Sequence, residues 1–383
     1  MADRGALKIS HTIFRWARES AGLSLEIAAK RIGVKPTRLQ EWEDIQALPT
    51  SRQLENAADA YRRPVATFFL AVPPAEPPLP IDFRAATDAK HDLSPETRLA
   101  IRRARWLKSI YAELMEGSAN VTEIPRLEHG KPESIAEAIR GWFASALKEV
   151  SGKQPSEALR VWRHAIESEG LLVFQFPMPT DEAHAFSLAD DIPTIVLNSG
   201  DAYTRRIFSA VHELAHLILR EPGLCNPSES ITTQRLGDVE IRCNAAAGMA
   251  LVPDAALLNH AAVARLRRRV DVLEILDPIA RTFAVSREVV LRRLLELDLV
   301  SLSTFRRAMK ELQHEFAERQ LLKKKSKVIV KPSTKAVARL GRKFVTEALA
   351  AHERGAISDS DLSEYLGVRL QHLEKIQELV GVE

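Results

Sequence analysis

Apolar positions recur at helical spacing along most of this chain. Over residues 11–21 they place Ile13, Trp16 and Ala17 on one face. Ser24 can cap a second helix that runs through Leu25, Ala28, Ala29 and Ile32 and stops at Gly33. Pro36 stands where a third helix begins, with Leu39 and Trp42 on its inner face. After a turn ending at Pro49, a fourth helix carries Leu54, Ala57, Ala58 and Tyr61. The prolines of AVPPAEPPLP (71–80) lock an extended spacer, so residues 71–91 read as a linker behind a small module, 1–70. Residues 92–117, 132–150 and 155–169 then read as amphipathic helices. There the period changes: LLVFQF (171–176), Phe186–Leu188 and TIVLN (194–198) are short strand candidates. Helical spacing returns at about residue 201 and holds to the C-terminus, with Pro253 and Pro278 as interruptions. The pattern predicts a mainly α protein with a small β-sheet (α+β), with a central domain at 92–299 and a helical C-terminal region at 300–383.

Composition narrows this little. At 383 residues the chain has room for two or three domains, and 45% hydrophobic with 27% charged residues argues against disorder. No apolar run approaches the roughly 18 residues of a membrane helix. The N-terminal MADRGALKIS has no signal-peptide core, so the expectation is a cytoplasmic protein with no membrane partner. Cys225 and Cys243 are the only cysteines, which suits a reducing compartment. A net charge of +3 makes no case for nucleic acid by itself, and the basic runs at Arg265–Arg269 and Lys323–Lys327 read first as solvated surface.

Specific chemistry appears in RRIFSAVHELAHLIL (205–219). His212 and His216 lie four apart inside an amphipathic helix, so both imidazoles can face one ion. Glu213, one step round, is placed to reach an activated water rather than the metal. This division suits zinc hydrolysis, with Glu213 as the catalytic base and one Zn2+ per chain. Catalytic zinc usually keeps three protein ligands. Downstream candidates for the third are Cys225, Glu229, Asp238 and Glu240. Glu240 opens the helix EIRCNAAAGMALV, whose small residues permit close packing, and Asn244 one turn on can orient its carboxylate. A thiolate suits structural zinc better, and Cys243 faces away as a small buried hydrophobe. For stabilising an oxyanion, Tyr203, His184 and Arg205 are in range of choice, each with a structural role as the simpler reading.

The stretch TIVLN…RRIFSAVHELAHLIL…EIRCNAAAGMALVP resembles the ImmA/IrrE family of metallopeptidases. The family is similar to gluzincins: its motif helix is followed by a glutamate ligand in an E-x-x-x-N helix that ends near a proline. Glu240, Asn244 and Pro253 occupy those places, so the resemblance implies His212, His216 and Glu240 as metal ligands with Asn244 behind them. The N-terminal module, the linker, IDFRA (81–85) and the helical C-terminal region resemble the family's long fused members. Ala245–Ala247 depart from a phenylalanine common there, and Ala185 from a usual glycine. The resemblance implies cleavage of one protein substrate, a repressor-type regulator. An extended substrate would then add to the sheet edge at Phe186–Leu188.

Residues 24–44 (SLEIAAKRIGVKPTRLQEWED) resemble an XRE-type helix-turn-helix. Lys35, Thr37, Arg38, Gln40 and Glu41 would face a major groove, with Arg38 suited to guanine and Gln40 to adenine. Lys8, Lys30, Arg31 and Lys35 would meet phosphates. Against this, Lys35 stands where a serine cap is usual, and Glu41, Glu43 and Asp44 put negative charge near the same face. Residues 1–70 hold 11 Lys/Arg against 8 Asp/Glu. The expected partners are therefore DNA, bound by a homodimer, and a regulatory protein substrate. The alternative is a non-cleaving DNA-binding regulator or antitoxin, whose peptidase fold senses or holds a partner such as a toxin.

Overall fold

Local capping starts the first helices where the sequence places them. The computed structural model describes residues 10–75, 93–115, 123–127, 130–189, 191–219, 224–225, 238–268, 271–323 and 330–381. They divide into two units, one running to Trp106 and including Pro177–Glu182, the other comprising Leu107–Phe176 and Ala183 onward.

In the first unit, α1 (His11–Ser20), α2 (Leu25–Ile32), α3 (Pro36–Glu43) and α4 (Ser51–Tyr61) enclose one core. Ser24 accepts the Ile27 N–H at the start of α2, Gly33 ends it at φ +84°, and Thr50 with Gln53 forms a capping box for α4. Phe14 sits in the core against Trp42 and Phe68, while the expected Trp16 is only partly buried, under the Arg63 guanidinium. The helix α5 (Pro95–Leu114) opens in this unit too. Its Arg102 donates to the Tyr61 carbonyl at 2.5 Å and to Ser20 Oγ at 3.1 Å. The helix-turn-helix body thus extends past the proline-rich stretch, of which residues 76–92, IDFRA included, lie outside the described residues.

Ile45, just after α3, is held at φ +63° and is 66% exposed. A β-branched residue in the left-handed region is strained, and this one gains little burial in return. Ile45→Gly is expected to raise unfolding free energy by about 1 kcal/mol. The check is a higher urea midpoint at unchanged slope; a lower midpoint would mean the isoleucine makes a contact that outweighs its strain.

The second unit contains α6 (Pro132–Trp142), α7 (Ala144–Glu149), α8 (Pro155–Ser168), β1 (Leu172–Phe176), β2 (Ala185–Leu188), β3 (Thr194–Asn198), α9 (Tyr203–Leu219), β4 (Leu224–Cys225) and α10 (Asp238–Leu251). It continues with α11 (Asp254–Leu258), α12 (Ala261–Ala264), α13 (Val272–Phe283), α14 (Arg287–Glu296), α15 (Leu302–Lys323), α16 (Pro332–Leu340), α17 (Arg342–Glu353), α18 (Asp359–Leu366) and α19 (Leu373–Val380). The protein is mainly α with one small sheet. The helix expected over 132–150 is two, broken at Phe143, which leaves helical geometry at φ −112° and ψ 32° and buries its ring against Trp162. Pro278 interrupts nothing: it lies inside α13 on the solvent side, where water can satisfy the carbonyl whose partner is missing.

The sheet runs in the order β1-β3-β2-β4, with β1 and β3 parallel and the other pairs antiparallel. Every residue of β1, β2 and β3 is buried, because helices cover both faces, and that explains apolar runs without alternation. Val173, Ile195 and Leu197 enter the main core with α9, while Phe174 packs edge-on against Phe344 of α17. Gln175 donates to the Ala338 carbonyl of α16 at 2.7 Å. The C-terminal helices therefore cover one face of the sheet. Phe186 is not at an open edge: it pairs with Val196 on one side and Leu224 on the other and is fully buried.

Candidate metal centre

The site depends on how α9 leaves the sheet. After β3, Asn198 accepts the Gly200 N–H at 2.9 Å and donates to the Ala183 carbonyl at 2.8 Å, closing a tight polar turn. From there α9 runs into the core with Ala210, Val211, Leu214, Ala215, Leu217 and Ile218 buried around its motif residues. The polar residues His212, Glu213 and His216 are buried as well. So much buried polarity is costly unless a partner meets it.

That partner comes from α10, which packs closely along α9 and buries Cys243, Ala246, Ala247 and Ala250 in the common core. The His212 and His216 Nε2 atoms lie 2.9 Å apart. Glu240 Oε2 is 3.3 Å from His212 Nε2, and Oε1 is 3.0 Å from His216 Nε2. Among the described residues these three form a group whose ligand atoms converge closely enough to share a cation. A tetrahedral zinc with bonds near 2.0–2.1 Å separates its ligand atoms by about 3.3 Å, so the observed triangle fits one ion. Glu240 Oε1 makes no aligned hydrogen bond despite its approach to His216, and Nδ1 of neither histidine makes an aligned one.

The electrostatics agree. Burial pushes the His212 imidazole below its ordinary value. Burial opposes charge on His216 too, but contacts with the Cys243 thiol and the Glu240 carboxylate outweigh it and raise that imidazole well above its ordinary value. Glu240 is partly desolvated, yet the two imidazoles hold its carboxyl well below the usual carboxylate range. The positive charge thus favours His216, beside the Glu240 carboxylate, where a bound cation would take its place.

Of the other residues singled out in the sequence, Asn244 interacts with His212. Cys243 is buried as expected and lies against His216, a contact its apparent orientation on the helix did not reveal. Asp238 is exposed at the start of α10, and Cys225 lies in β4. Glu229 lies outside the described residues. His184 is buried in a hydrogen-bonded chain, with Nδ1 at 2.9 Å from Asp201 and Nε2 at 3.2 Å from Arg205. Arg205 also approaches Glu288 at 3.6 Å. The chain makes His184 and Arg205 structural partners of each other. Tyr203 is exposed beneath the Arg206 guanidinium.

On α3, Lys35, Thr37 and Arg38 are exposed and Gln40 and Glu41 half-buried. Arg38 donates to Glu41 and Gln40 to Asp44, each at 2.7 Å, so these side chains are held within their own helix. Lys35 is the N-cap residue and makes no side-chain cap. Arg31 pairs with Glu96 at 2.5 Å, and Lys8 and Lys324–Lys327 lie outside the described residues. Glu43 corrects the charge reading. It is buried and accepts two hydrogen bonds from Arg18, at 2.7 and 2.9 Å, so its charge is neutralised inside the module instead of facing a groove.

Two histidines one turn apart and a carboxylate from the next long helix thus stand together beside a small mixed sheet. Residues 166–295 match the family model of the IrrE N-terminal-like domain, peptidase M78. Residues 13–68 match that of a helix-turn-helix domain. Both bear out the resemblance to ImmA/IrrE proteins carrying an N-terminal helix-turn-helix. No curated protein matches the chain. Among the described residues no helix is long and apolar enough to cross a membrane.

Proposed function

We propose that this protein is a zinc-dependent endopeptidase that cleaves a regulatory protein and, through its helix-turn-helix, acts in transcriptional control. The observation that carries the reading is the buried convergence of His212, His216 and Glu240, with Glu213 on the adjoining position of α9. His212, His216 and Glu240 would hold the ion. Zinc bound there supplies a Lewis acid that polarises a scissile carbonyl and acidifies a water. Glu213 accepts the proton of the attacking water and passes it to the departing amine. Asn244 and Cys243 steady the two imidazoles from α10. The module's exposed Lys35, Thr37 and Arg38 meet DNA, and Arg38 exchanges its bond to Glu41 for a base edge. Support for DNA as the partner comes from the helix-turn-helix match and the exposure of this face.

Elemental analysis of the purified full chain tests the metal centre. About one zinc per chain is expected, lost in both His216→Ala and Glu240→Ala. Zinc that survives Glu240→Ala would move the third ligand elsewhere. A wild type that stays empty when zinc is supplied would sink the enzyme reading and leave the binding regulator.

A further inference from the structure

A cavity of about 240 Å3 opens between α10, α14 and the start of α15. Phe208, Ile241, Val289 and Phe305 form its apolar walls, and Ala245 and Gly248 leave it deep. It holds many times the roughly 10–15 Å3 that a single water requires. Its size and lining suit one large apolar side chain, and no part of the metal chemistry described above uses it.

The cavity lies beside the metal centre, with Phe208 and Asn244 between them. Phe208 lies one turn before His212 on α9, with the two rings 6.4 Å apart. Ile241 adjoins Glu240, and Asn244 both lines the cavity and interacts with His212. An extended peptide advances about 3.3 Å per residue. A chain whose carbonyl lies at His212 and His216 would therefore bring a side chain one or two residues away to the cavity mouth.

The far wall is rigid for a reason the sequence hides. Arg293 is almost fully buried, and its guanidinium donates to the Val252 carbonyl and pairs with Asp254 and Glu296. That network pins the aliphatic stem beside Gly248, where an added Cβ would stand 3.2 Å from Arg293 Cδ. Position 248 therefore limits the depth, and position 245 limits the width.

We propose that this cavity is the specificity pocket of the peptidase, taking a bulky aliphatic or aromatic side chain that flanks the scissile bond of the protein substrate. The proposal rests on the metal-centre reading above. The pocket's walls favour an uncharged side chain, because both guanidiniums that line it are already paired, Arg292 with Glu288 and Arg293 with Asp254 and Glu296.

The test is calorimetric titration of the zinc-loaded full chain with acetohydroxamate and with hydroxamates carrying an isobutyl, benzyl or carboxymethyl arm. The benzyl or isobutyl arm is expected to tighten binding on the order of 30-fold over acetohydroxamate, and the carboxymethyl arm less than threefold. In Ala245→Phe the ratio of benzyl to acetohydroxamate affinity is expected to collapse to less than threefold. In Gly248→Ala the preference is expected to move from benzyl to isobutyl. Equal binding of all arms, or an apolar gain that survives Ala245→Phe at full size, overturns the pocket while leaving the metal centre standing. If the chain does not take up zinc, the metal-centre reading falls and the pocket falls with it; if it is loaded and no hydroxamate binds, the pocket alone is overturned.

Discussion

Glu213→Gln is expected to lower cleavage of the target protein on the order of 10³-fold while zinc stays in place. The substitution keeps the shape of a fully buried side chain and removes only the oxygen charge that takes up a proton. Glu213 is not among the three groups whose atoms converge, so its loss removes no ligand. Its negative charge also helps raise the His216 imidazole. The measurement is a comparison of protein N-termini in cells expressing the wild type or the variant, with zinc per chain determined in parallel. A new N-terminus that appears only with the wild type, at equal zinc content, identifies the substrate and the base together. Unchanged cleavage in the variant would assign the proton transfer to another group. If neither form produces a new N-terminus and both leave transcription regulated alike, the protein is the non-cleaving regulator or antitoxin.

Gly341→Ala should destabilise the sheet face covered by the C-terminal helices by about 3–5 kcal/mol. Gly341 joins α16 to α17 at φ +80° and ψ 157°, a conformation open essentially to glycine alone. An added Cβ would also stand 3.0 Å from the Val173 carbonyl of β1 and collide with the Glu167 carboxylate. That carboxylate is the anchor of the junction. Glu167 Oε2 accepts the first N–H groups of α17, from Arg342 at 3.0 Å and Lys343 at 3.2 Å. It thereby caps that helix from α8, at the end where the dipole favours negative charge. Burial pushes its carboxyl up, with Arg163 and the two backbone donors opposing the shift. Displacing it would leave a buried carboxylate with fewer partners and a helix without its cap, beyond the backbone strain. Hydrogen exchange at the α17 amides reads the effect locally, and a loss of protection on the order of 10²-fold or more is expected. A loss below threefold would show that the junction relaxes around a side chain and that Glu167 does not hold it.

The parts of the site that were legible in the sequence are those governed by neighbours a few residues away. His212 and His216 share a face because a helix repeats every 3.6 residues. The same holds for Ser24 and Gly33, whose roles at the ends of α2 depend on bonds within one turn. Glu240 was only one of several acidic candidates until the family resemblance favoured it. The structure then places its oxygens near both imidazoles. Phe208 carried a signal that went unused, since it precedes His212 by one turn on the same face. Nothing local distinguished Arg293 from Arg292, yet Arg293 is almost fully buried while Arg292, at the same cavity, is half-buried and pairs with Glu288.

By itself the sequence determined the helix-turn-helix, the motif helix and the three longer strands, because capping, backbone preference and hydrophobic period act within a few residues. Only the tertiary structure decided what meets across the chain. It buried Glu43 on Arg18, covered Phe186 on both sides, let Pro278 ride inside a helix at its solvent face, and brought the C-terminal helices onto β1. Each of those outcomes depends on which distant surface removes a group from water and whether that surface offers it a partner. A residue's own neighbourhood in the chain carries no record of this.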